Sequence, residues 1–227
     1  MTSKLIVNSV RHTGASADGI TMAADGSVTF PGNATCSGTA TGFADVDYVK
    51  LQRGTNAGGA GDLIFDNLDV ATYKIFEFYA AFVPENDAIP YFRFRTGGAS
   101  GADVNGTHYG YGYRETYPTD NGLNKSASSQ NEVRLHGTSG NNTGNGEGFR
   151  INIRMFFADS SDNGSTPRLG NFINWSSSRH DGSGNYRSAT GNAAYNENDT
   201  TFPTGFKIFM ASGAINANTF ALYGLKR

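Results

Sequence analysis

The 227-residue chain is 17% charged and 37% hydrophobic, with 16 Phe and 11 Tyr, enough aromatic bulk for the core of one large β domain or a small module plus a domain. Its formal net charge of −2 offers no electrostatic case for nucleic acid or an anionic membrane, and no segment approaches the apolar run of about 18 residues that crosses a bilayer. Cys36 stands alone, which excludes an intrachain disulfide framework and a multi-cysteine zinc site.

Residues 1–42 read as a separate module. Leu5–Val10 and Gly19–Phe30 are strand-like, the second folded back at Ala24-Asp25-Gly26-Ser27 by an Asp-Gly turn. The apolar run after Lys4 is too short for a secretory signal to be expected. Pro31–Gly42 is small and polar, a linker or extended crossing segment. Two or three short strands bury no core alone, so this module is expected to lean on another chain.

Residues 43–227 read as one all-β domain. Tyr73–Val83 places Phe76, Phe78, Ala80 and Phe82 on one face, and Phe92 and Phe94 stand opposite Tyr91, Arg93 and Arg95. Tyr109, Tyr111 and Tyr113 form a row between glycines, and Gly148–Phe157 alternates Phe149, Ile151, Ile153, Met155 and Phe157 with polar residues. Val46–Arg53, Glu132–His136, Leu169–Trp175 and Asn185–Arg187 are shorter strands, while Ser126–Gln130 and Gly137–Gly148 read as polar loops. Phe206, Ile208 and Met210, a loop over Ala211–Asn218, and Phe220, Leu222 and Gly224 make a closing hairpin. No long window fits a helical template, so eight to ten strands predict a jelly-roll-like antiparallel β-sandwich after a small β module.

The hairpin ending Leu222-Tyr223-Gly224-Leu225-Lys226 resembles the C-terminus of β-sandwich structural proteins of tailed bacteriophages. Lys4-Leu5-Ile6-Val7-Asn8-Ser9-Val10, His12-Thr13-Gly14 and Gly19–Phe30 are similar to the short β modules that open phage tail-fibre and related virion proteins. The two matches cover roughly a quarter of the chain. The resemblance implies a non-enzymatic virion protein: a homotrimeric tail fibre or fibre-like appendage, joined to other virion proteins through residues 1–42, that contacts a host-surface glycan. The alternative it leaves open is a capsid decoration protein.

Six side chains are candidate receptor contacts. Trp175, followed by Arg179 and Asp181, can stack on a sugar while the charged pair bonds its hydroxyls; Trp is usually deeply buried, and the competing reading is a core strand end. Tyr111 and Tyr113 with Arg114 offer rings and hydroxyls to a partner, or pack in the core. Asp159, Asp162 and Asn163, like Asp66, Asn67 and Asp69, lack a calcium-loop pattern and read as turn chemistry, so no metal or cofactor is expected. Arg93, Arg95, Arg150 and Arg154 are expected in solvated or intersubunit ion pairs. His12, His108, His136 and His180 share no catalytic motif; Glu77, Asp103, Glu115 and Glu132 would serve glycan cleavage only if folding paired them at carboxylate spacing. The expectation is no enzyme.

Overall fold

In the computed structural model, the described residues are 9–10, 20–24, 28–29, 48–56, 61–97, 101–117, 120–141, 147–158, 170–181, 183, 185–195 and 202–226. The chain divides into two units, Met1–Asp45 and Val46–Arg227. The first holds β1 (Ser9–Val10), β2 (Ile20–Met22) and β3 (Val28–Thr29), an antiparallel sheet in that order. Val10, Met22 and Val28 are all exposed on it. The expected Leu5–Asn8 strand start, the Asp25-Gly26 turn, the linker and Cys36 lie outside the described residues.

The second unit contains β4 (Tyr48–Asn56), β5 (Leu63–Phe65), β6 (Tyr73–Pro84), β7 (Pro90–Thr96), β8 (Ala102–Asp103), β9 (Tyr109–Tyr117) and β10 (Asp120–Gln130). They are followed by β11 (Val133–Arg134), β12 (Gly148–Phe156), β13 (Asn171–His180), β14 (Tyr186–Tyr195), β15 (Gly205–Met210) and β16 (Ile215–Lys226). An eight-stranded antiparallel sheet runs β10-β9-β14-β13-β12-β6-β16-β4; a five-stranded one runs β11-β7-β15-β5, with β8 on β7. The fold is an all-β sandwich. Its chain crosses between sheets as a ribbon: β6 pairs with β16 in one sheet, and their successor and predecessor, β7 and β15, pair in the other. Pro84 and Pro90 mark the corner, where Glu85 N–H donates to Ala214 O (2.8 Å) and Ala211 N–H to Ile89 O (2.9 Å).

Period-2 alternation decides what faces inward. Phe76, Phe78 and Phe82 on β6, and Phe149, Ile151, Ile153 and Met155 on β12, are buried, as are Phe65, Phe92, Phe94, Phe206 and Ile208 on the smaller sheet. Phe206 stacks on Phe65 (4.7 Å between centroids) and meets the edge of Phe78 (5.3 Å), so the two sheets interlock through rings. Each such side chain contributes about 1.5–3 kcal/mol by leaving water.

Four stretches differ from the sequence reading. Ser126–Gln130 is not a loop but the end of edge strand β10, which is largely exposed there and so lacks apolar alternation. β13 continues through Ser176–His180, and β14 runs from Tyr186 to Tyr195 rather than ending at Arg187. The closing loop is shorter, because β16 begins at Ile215. Of the two readings of the Tyr row, the core one holds for Tyr109 and Tyr113: both are buried, and the Tyr109 hydroxyl accepts Phe94 N–H and donates to Val104 O, 2.9 Å each.

Gly191 sits where Trp175 must lie flat. A Cβ there would stand 2.4 Å from Trp175 Cζ2 and 2.6 Å from Tyr113 Cβ. Gly191→Ala is therefore expected to cost about 1–3 kcal/mol by overpacking. Denaturant unfolding checks this; an unchanged midpoint would show that the Trp175 seat is loose.

Candidate functional site

The six sequence-derived contacts do not form one surface. Trp175 is a core residue, its indole N–H donating to Leu135 O at 2.8 Å, and Tyr113 lies beside it with ring centroids 6.3 Å apart. Tyr111 is half-buried and stacked on Tyr113. Arg179 is buried. Asp181 accepts the backbone N–H groups of Ser183 and Asn185 and pairs with Arg187 at 2.6 Å, so it shapes a turn. Arg114 alone is exposed on the outer face of the eight-stranded sheet. Trp175 and Arg179 point inward by the alternation of β13, and the polar segment after β11 supplies backbone and imidazole partners for them.

That segment, Leu135–Ser139, is clamped across the sandwich. Arg179 donates from Nη2 to Glu115 Oε1 (2.7 Å), from Nε to His136 Nδ1 (2.7 Å) and from Nη1 to Thr138 O. Gly137 N–H also donates to His136 Nδ1 (2.8 Å). A nitrogen accepting two hydrogen bonds carries no proton, so the ring is neutral with its hydrogen on Nε2. Burial, then the guanidiniums of Arg179, Arg187 and Arg134, push the His136 pKa down to about 3. The 3.5 Å approach of Glu115 Oε1 to Nδ1 is accordingly not an ion pair; Glu115 is neutralised by Arg179. The function of this cluster is structural closure.

The opposite, outward face of the eight-stranded sheet has a different character. Strand register aligns Ser188, Ser178, Arg150, Ala81 and Thr219 in one rung from β14 to β16. The next rung is Thr190, Ser176, Asn152, Tyr79 and Ala221. Small side chains over five adjacent strands leave two contiguous depressions of about 490 and 570 Å³, which share Ala81, Arg150, Ser178, Tyr186 and Thr219. From β14 to β16 the span is ~19 Å at ~4.8 Å per strand step. Tyr79 (39% exposed) and Tyr186 (50% exposed) flank this groove, each meeting one neighbouring ring near a right angle, Tyr223 at 6.0 Å and His180 at 5.7 Å. Hydroxyls and the Asn152 amide supply directional donors and acceptors along its floor.

Beside the groove, Glu77 Oε2 accepts the hydroxyls of Tyr48 (2.8 Å) and Tyr79 (2.9 Å), and Arg154 Nε approaches Oε1 at 3.6 Å. Tyr48 also stacks on Tyr223 at 4.9 Å. These contacts hold the Tyr79 ring in place. Of the residues along the two rungs, the sequence analysis marks only Arg150, as an expected ion-pair member; a search for small residues on the outward positions of neighbouring strands would have found Ala81, Ser178 and Ala221.

On the smaller sheet, Arg93 pairs with Asp103 (3.0 Å) and Glu132, Arg95 with Asp66 (2.8 Å) and Asp103, and Lys207 with Asp103 (2.6 Å). The ion pairs of Arg93, Arg95 and Arg154 thus form within the chain. Glu77, Asp103, Glu115 and Glu132 are all engaged by cations or hydroxyls. Asp69 accepts Thr72 N–H (3.0 Å), and Asn67 adopts a left-handed φ of 58°, both turn features. Among the described residues, no group of three His, Cys, Asp or Glu side chains is placed to hold a metal ion, and no helix is long and apolar enough to cross a membrane. Asp159, Asp162 and Asn163 lie outside the described residues.

Comparison with protein-family models, curated proteins and solved structures finds no match.

His136 provides a pH test of the clamp. Its folded pKa lies below the ordinary 6.5, so the unfolded chain takes up a proton that the folded chain refuses. Stability is full above pH ~6.5 and falls as pH drops towards about 3, by about 1.4 kcal/mol per pH unit at most. In urea unfolding from about pH 7 to about pH 5, His136→Asn is expected to show a shallower loss than the wild type. Equal slopes would contradict the assignment of a buried neutral imidazole.

Proposed function

We propose that this chain is a non-enzymatic virion structural protein of a tailed bacteriophage, a trimeric tail fibre or fibre-like appendage whose β-sandwich contacts a host-surface glycan. The observation that carries the glycan contact is the outward groove. Its aromatic faces, Tyr79 and Tyr186, suit the apolar faces of sugar rings. Ser176, Ser178, Thr219 and Asn152 suit their hydroxyls. An open floor built on sheet strands is rigid and admits a chain from either side, as a polysaccharide requires. Arg114, the one exposed member of the sequence-derived set, extends the same face. Trp175, Tyr113 and Arg179 serve the fold and are not part of the contact.

The virion assignment draws on the terminal resemblances, and the thin, exposed N-terminal sheet agrees with a module completed by other chains. Individual grooves of this open kind bind weakly. Copies on one appendage raise the effective concentration of the next binding event, which is how weak sites hold a cell surface.

The test is adsorption of the purified chain to host cells. Tyr79→Ala with Tyr186→Ala removes both platforms while sparing the core, and is expected to lower adsorption by roughly ten-fold, since aromatic contacts contribute about 0.5–1.5 kcal/mol each. Unchanged adsorption would overturn the groove as the contact surface. Imaging of intact particles separates the virion locations: density over the capsid in place of the tail would favour a decoration protein.

A further inference from the structure

We infer that the groove selects glycans carrying an anionic group, with Arg150 as the residue that contacts the anion; this rests on the glycan reading above and names the ligand class. Arg150 occupies the centre of the groove floor, exposed, on the middle strand of five. Its two lateral neighbours, Ser178 and Ala81, are too short to cover a guanidinium. No carboxylate pairs with it among the described residues, whereas Arg93, Arg95, Arg154, Arg179 and Arg187 all have acidic partners. An arginine held at the floor of a cleft without a counter-charge presents a planar fork of donors suited to carboxylate, sulfate ester or phosphodiester oxygens.

The surrounding charge agrees. On the outward face, Lys50, Arg53, Arg114, Arg150 and Arg154 share a surface with the carboxylate of Glu77, which already accepts two tyrosine hydroxyls and lies beside Arg154, while the buried Glu147 borders the smaller depression. The chain as a whole carries −2, so this face is locally of the opposite sign to the protein. Such a field gathers a polyanion and weakens with salt. The neighbouring hydroxyl groups and the Tyr79 and Tyr186 rings then distinguish a sugar chain from a simple anion. Ser188 and Thr116, at the far end of the Arg150 rung, bond each other at 2.6 Å and so are already oriented.

The experiment titrates the full chain with matched oligosaccharides bearing uronate, sulfate ester or phosphodiester groups, with their neutral counterparts, and with a single-stranded oligonucleotide of similar charge. Proteins compared are the wild type, Arg150→Gln and Tyr79→Ala, each first shown to unfold at the wild-type temperature. The expected result is binding of at least one acidic oligosaccharide about ten-fold or more above its neutral counterpart, reduced about ten-fold or more by Arg150→Gln and also by Tyr79→Ala. The preferred acidic arm identifies the source of the anion. Equal binding of acidic and neutral sugars, lost in Tyr79→Ala but intact in Arg150→Gln, would overturn the anion inference and leave the glycan groove standing. Binding of no sugar would overturn both. Binding of the oligonucleotide as tightly as the best sugar would also overturn the inference, as a mere polyanion surface.

Discussion

The ring layer between the two sheets is the constraint from which the remaining structure follows. Phe206 lies against Phe65 and Phe78, Phe92 stacks on Phe206 at 5.7 Å, and Phe94 meets Phe157 edge-on at 5.3 Å. Because side chains alternate across a strand, every ring committed to this layer assigns its neighbours to the other side. Phe78 inward puts Tyr79 outward; Ile151 inward puts Asn152 outward; Leu222 inward puts Ala221 outward. A one-residue slip in β6 or β12 would bury Tyr79 or Arg150 and expose a phenylalanine. The core therefore sets the register of the outer face, yet makes no demand on its chemistry. That freedom is what allows five adjacent strands to carry small and hydrophilic residues side by side.

At one end of the sandwich the layer is polar instead of aromatic. Glu115, Arg179 and His136 are each less than a tenth exposed, and together they hold the backbone that lies between the Leu135–Pro90 bond and the Ser139–Ala88 bridge. Breaking such a cluster by removing one member is costly, about 3–5 kcal/mol for a buried ion pair, because the remaining charge is stranded. Its worth lies in placing the Leu135–Ser139 segment. Trp175 joins the same task through Leu135 O, which explains how the single tryptophan of the chain comes to be structural.

The strands that line the ring layer are legible in the sequence, since Phe76-x-Phe78 and Ile151-x-Ile153-x-Met155 state both strand and face. Ser176–His180 is not legible. Its inward positions, Ser177 and Arg179, meet the polar clamp, so no apolar alternation marks it as a strand. β10 hides for a related reason: as an edge strand with little to bury, its Asn, Ser and Lys residues read as loop. The groove is harder still. Ala81, Arg150, Ser178 and Thr219 come from four strands spread over more than half the chain, and only the pairing register makes them neighbours. Conversely, Tyr113, Trp175 and Arg179 drew notice because their residue types suit recognition, while burial gives them structural roles.

The central claim is that ligands meet the outward face of the eight-stranded sheet, and backbone amide chemical-shift mapping with an acidic oligosaccharide tests it most directly. The account predicts shifts concentrated at Tyr79–Ala81, Arg150–Asn152, Ser176–Ser178 and Thr219–Ala221, four short stretches united only by the sheet. Shifts gathered instead around Leu135–Thr138 and Asp181, at the polar end of the sandwich, would contradict it.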